Sequence, residues 1–171
     1  MSTQASPSEE HEVFLDASKL SPFEYVGMAA GLVLLVSLWL PWFSTGSNKD
    51  AAIFSAGIGP DSTANAWQTF GILPWALLAL SSAPFILSWI VARRHKLDWP
   101  TGEVTMVTGL IGTFLVLCNG LILGKPEPGI QVSLSLGWFL ALAGCTAIFV
   151  TGLMRQAEKS SNRPRKPPGT I

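Results

Sequence analysis

Asn119 is the most polar side chain set well inside the long apolar stretches of this chain, and Ser81 and Ser82 are candidates to join it. An amide and two hydroxyls in such surroundings have two uses. They can line a small polar cavity, as a transport or channel component working as an oligomer would need. Alternatively the amide can bond across to a neighbouring helix as a packing device, which is the commoner use of a buried amide and the reading favoured for Asn119. Charged groups mark proton paths and ion sites because burying them in hydrocarbon is costly. The apolar stretches carry essentially none, since Glu24 and Glu103 fall at their ends, within reach of water.

Catalytic and metal chemistry find little to work with. His11 and His95 stand alone in polar segments, and no HExxH, GxSxG, phosphate-binding glycine loop or paired carboxylates occur. Asp50 and Asp61 lie in a Gly/Ser loop and read as solvated. Cys118 and Cys145 sit inside apolar runs without a CxxC spacing, so both read as small buried hydrophobes. The expectation is a protein that is not an enzyme and uses no cofactor and no metal.

The elements that must hold these residues follow from hydropathy. Of 171 residues, 49% are hydrophobic and 13% charged, where a soluble domain has about a quarter charged. Four apolar runs predict helices at about 22–43, 71–92, 104–123 and 136–154. At 1.5 Å per residue each is long enough for a hydrocarbon layer about 30 Å thick. The expected fold class is therefore all-α, a four-helix transmembrane bundle over 22–154. Gly27 with Gly31, and Gly137 with Ala141 and Cys145, recur every fourth residue and suit close helix packing. Pro84 must free the Leu80 carbonyl, which Ser81 and Ser82 are near enough to help satisfy.

Between the helices lie outer loops 44–70 and 124–135 and a hinge at 93–103. Ile130 to Leu136 alternates apolar with polar, the period of a strand. Its partner is expected in the 44–70 loop, where Ala51 to Phe54 is a candidate strand, giving a small extracytoplasmic β element. The polar, acidic segment 1–21 does not look like a cleaved signal peptide. It and the basic, proline-bearing segment 155–171 are expected to be disordered tails.

Charge sets the direction. The hinge opens with Arg93-Arg94-His95-Lys96, and four crossings put both tails on its side. Nine of the eleven Lys and Arg then share that side, with only Lys49 and Lys125 opposite, so the positive-inside rule makes hinge and termini cytoplasmic. Trp39, Trp42, Trp67 and Trp138 then fall at the outer boundary and read as interface anchors. The expected location is a cell (inner or plasma) membrane, multi-pass. The expected partners are the lipid bilayer and a second copy or another membrane protein. The basic C-terminal tail is a candidate for anionic lipid contact, worth about 1 kcal/mol per cationic residue. No folded basic face accompanies that charge, so no nucleic acid is expected.

Three short motifs carry a resemblance: Leu40-Pro41-Trp42-Phe43-Ser44, Ala66-Trp67-Gln68-Thr69-Phe70, and Leu136-Gly137-Trp138-Phe139-Leu140-Ala141-Leu142. With them the chain resembles, over roughly 22–154, small four-helix bacterial membrane proteins of actinobacterial type that share an LPW(F/Y) helix end and an AWxxF lead into the second helix. The resemblance implies topology and supplies no catalytic residue. This chain departs from the pattern at Leu73-Pro74-Trp75, where an acidic residue would be expected. The function that follows is a non-enzymatic accessory subunit or membrane organiser acting through helix–helix and outer-loop contacts, with a transport component as the alternative.

Overall fold

Pro41 decides where the first helix stops. Without an N–H it cannot complete the bond to the carbonyl four residues back, and its ring crowds that carbonyl. In the computed structural model, which describes residues 20–45, 63–93, 100–119 and 132–161, helix α1 spans Pro22–Ser37. The turn after it tightens: the N–H groups of Leu38, Trp39 and Leu40 bond the carbonyls three residues back at 3.2 Å. The helix expected to reach 43 is thus six residues shorter, and strand β1 (Pro41–Thr45) takes its end.

The molecule is mostly helical with one small sheet. Strands β2 (Thr63–Asn65) and β3 (Val132–Leu134) pair antiparallel on either side of β1, in the order β2-β1-β3. Phe43 and Ser44 are paired on both sides, Phe43 with Ala64 and Leu134 and Ser44 with Thr63 and Ser133. A shift in register falls between Pro41 and Phe43, where the proline can offer the ladder no donor. Within the alternating stretch Val132–Leu134 does form a strand, and its partner β1 reaches into the start of the 44–70 loop through Ser44 and Thr45. Ala51 to Phe54 lie outside the described residues.

A four-residue helix α2 (Ala66–Thr69) follows β2. Asn65 closes it with a reciprocal box: its Oδ1 accepts from the Gln68 N–H, and Gln68 Oε1 accepts from the Asn65 N–H, both at 3.0 Å. Helices α3 (Leu73–Ala92) and α4 (Thr101–Leu117) come next, α4 passing into a π-type turn at Cys118 and Asn119. Helix α5 (Leu136–Ser161) is the longest at 26 residues. Residues 155–161, expected to belong to a disordered tail, extend it instead. The run from Arg155 to Ser161 contains no proline or glycine, so nothing in the backbone stops propagation.

Helix α5 packs against both α1 and α4, and α3 closes the bundle against the same two. The α4–α5 seam is backbone on backbone. A Cβ at Gly109 would run into the backbone of Phe149, and one at Gly152 into that of Met106. On the other side, Gly27 and Gly31 of α1 form a groove that takes the Pro84 ring of α3. A Cβ at Gly31 would lie 2.7 Å from the Ser81 carbonyl oxygen.

Burial departs from the pattern of a water-soluble bundle. Leu34, Leu77, Val116, Cys145 and Ile148 fill the interior, but Glu24, Ser81, Ser88, Thr105, Thr151 and Arg155 are buried as well. The outward faces carry large apolar side chains on every long helix, among them Leu32, Val36, Ile86, Leu110, Phe114, Phe139 and Leu153. Two helices are long and apolar enough to cross a membrane, Leu73–Ala92 and Leu136–Glu158, with mean hydropathies of 1.8 and 1.9; the shorter apolar helices are Pro22–Ser37 and Thr101–Leu117.

Candidate functional site

The three polar candidates each turn back on their own helix. Ser81 Oγ donates to the Leu78 carbonyl and Ser82 Oγ to the Ala79 carbonyl, both at 2.7 Å. Asn119 Nδ2 donates to the Leu115 carbonyl at 3.0 Å. Neither serine reaches the Leu80 carbonyl, because a helical hydroxyl folds back three or four residues. Nor are the three brought together. Leu80 packs near Gly112, which is seven residues short of Asn119, about 10 Å along the helix.

The four tryptophans expected as interface anchors divide into two pairs. Trp42 is fully buried and Trp138 is 4% exposed, so neither meets a boundary. Each closes a helix end: Trp42 Nε1 donates to the Ser37 carbonyl at 2.8 Å, and Trp138 Nε1 to the Val116 carbonyl at 3.2 Å. The first of these carbonyls is the one that Pro41 leaves without its helical donor. An indole is long enough to reach such a carbonyl from the following strand or from the next helix, and its apolar body fills the core around it. Trp39 stays outside and stacks with Trp67, their centroids 5.7 Å apart; Trp67 meets exposed Trp75 edge to face at 5.1 Å.

At the end of the bundle opposite the sheet lies a pairing that sequence reasoning missed. Glu24, in the first turn of α1, holds Arg155 of α5 in an ion pair, with the two side chains 2% and 10% exposed. Glu24 is also tied to its own helix start, since Oε2 accepts from the Ser21 N–H at 3.0 Å while Oε1 faces Arg155 Nη2. The glutamate was expected to reach water and the arginine to begin a tail. The legible signal was the unbroken helical run through Arg155, which keeps its side chain on a packed face.

All four long helices line a cleft beside this pair, with a volume of about 10 Å³. Glu24 comes from α1, Pro84 and Ser88 from α3, Thr105 from α4, and Thr151 and Arg155 from α5. Thr105 Oγ1 donates to the Thr101 carbonyl and Thr151 Oγ1 to the Ile148 carbonyl, each at 2.9 Å. Toward the sheet, Leu34, Leu77, Cys145 and Ile148 fill the bundle. The cleft is therefore a shallow pocket at one end, where apolar Phe23 and Leu87 share the lining with the polar groups. Nearby, the Arg93 guanidinium lies 4.6 Å from the centroid of the exposed Trp89 ring; the rest of the basic hinge lies outside the described residues. Among the described residues no three His, Cys, Asp or Glu side chains gather as metal ligands would.

No protein-family model, curated protein or solved structure matches the chain.

Proposed function

We propose that this chain is a non-enzymatic integral membrane protein: a four-helix bundle that crosses a cell membrane four times, keeps both termini cytoplasmic, and acts through contacts as an accessory subunit or organiser of other membrane proteins. One observation carries the reading: large apolar side chains face outward on all four long helices, while an ion pair and several hydroxyls face inward. In water such a surface would associate without limit, whereas in lipid it is the ordinary arrangement. The shorter helices are compatible with it. Sixteen residues of α1 rise about 24 Å, and the tight turn and β1 carry the chain on from there.

Sidedness rests on charge. Nine of eleven Lys and Arg fall on the hinge side, the side the positive-inside rule assigns to the cytoplasm. The contact role is supported by the apolar filling of the described bundle and by a pocket that stays shallow and at one end.

Alkaline carbonate extraction of membranes, combined with reporters fused to each terminus, tests the topology. Retention in the pellet with both reporters cytoplasmic is expected; release into the supernatant, or reporters on opposite faces, would sink it. Crosslinking in native membranes followed by purification tests the role. A discrete complex, with a second copy or with another membrane protein, is the expected product, and a monomer free of any stable partner would overturn the contact reading.

A further inference from the structure

We propose that the cleft at the Glu24–Arg155 end is a hydration site, built to hold one water between the Ser88 hydroxyl and the ion pair. The site stands whether or not the bundle crosses a membrane, because it rests on the packing of the four helices alone.

Size comes first. The cleft measures about 10 Å³, close to the smallest space that takes a water. A larger solute could not be enclosed by it. Charge gives a small ion no preferred place to stay, since the carboxylate and guanidinium neutralise one another and leave the pocket with no net charge. The ligand is therefore neutral, small and able to both donate and accept.

Bonding capacity points the same way. Ser88 is 5% exposed and lines the cleft, yet its hydroxyl has no hydrogen-bond partner among the described residues. The two threonines beside it are already satisfied by their own helices. A guanidinium offers five N–H donors and a carboxylate about four acceptor positions. The contacts to Glu24 and to the Ser21 N–H use only part of these. A buried ion pair is tolerated when its remaining donors and acceptors also find partners. A water between Ser88 and the pair supplies them, and buried waters typically make about three such bonds.

Thiol reactivity toward silver ion, a probe of nearly water's size, tests this on the full-length chain in detergent micelles. Cys118→Ala leaves Cys145, which is 1% exposed, as an internal buried reference. Adding Ser88→Cys should give a thiol that reacts within about tenfold of the rate of Ser160→Cys, an exposed position in the same background, since access governs thiol reaction. If the thiol introduced by Ser88→Cys reacts as slowly as Cys145, the site is overturned. Where Ser88→Cys does not fold, the unsubstituted chain is measured by NMR. Magnetisation transfer from a long-lived water to the Thr105 or Thr151 methyl supports the proposal, and its absence at both methyls overturns it.

Discussion

The Glu24 carboxylate and the Arg155 guanidinium meet at the end of the bundle opposite the sheet and join the first long helix to the last. Both side chains are nearly out of solvent, so each depends on the other. Removing one leaves an uncompensated buried charge, which costs about 3–5 kcal/mol, whereas replacing both with apolar groups of similar volume is often neutral. Glu24→Gln and Arg155→Met should each lower stability by about that amount, and Glu24→Met with Arg155→Met should recover most of the loss. Denaturant unfolding of the four proteins in micelles, followed by circular dichroism, checks it. Losses that simply add would show that the two residues are not coupled.

The α4–α5 seam makes a second prediction. Gly109→Ala and Gly152→Ala each place a methyl against the facing backbone, and neither backbone can rotate aside. Each should cost about 1–3 kcal/mol, the usual penalty of overpacking. Gly71 has nothing within 4 Å of its would-be Cβ, so Gly71→Ala should change stability by about 0.5 kcal/mol or less. Thermal melts of the three variants would show the ranking.

Trp42 and Trp138 differ from Trp39 in what their indoles do. Trp42→Phe and Trp138→Phe each remove an indole donor from a buried helix-end carbonyl, at an expected cost of about 1–3 kcal/mol. Trp39→Phe keeps an exposed ring exposed and should cost about 0.5 kcal/mol or less. Equal losses in all three would mean that the indole bonds contribute nothing.

Ser81, Ser82 and Asn119 should matter less than their polarity suggests. Each donates to a carbonyl of its own helix, where a backbone N–H four residues on competes for the same oxygen. Alanine at any of the three should shift stability by about 1 kcal/mol or less. A much larger loss at Asn119 would point to an interhelical partner in an assembled form.

Much of the fold was legible because hydropathy is local. The four long helices, the strand near 132 and the packing role of Gly27 and Gly31 can all be read from neighbours in the chain. What could not be read depended on distant residues. Pro41 marked a helix end, but pairing with β2 and β3 was needed to make the next five residues a strand. A tryptophan beside that end looks like an anchor until the carbonyl it caps is known. Arg155 looks like the start of a tail until Glu24, from the other end of the chain, gives its charge a partner.

By itself the sequence determined how many long apolar segments there are, where most of them begin, and that the cationic residues gather at the hinge and tail, because side-chain polarity and backbone stops act within a few residues. Only the tertiary structure decided which polar groups are buried together. A buried charge is stable only beside its counterpart, and the counterpart of Arg155 is brought to it by the antiparallel packing of the first helix on the last.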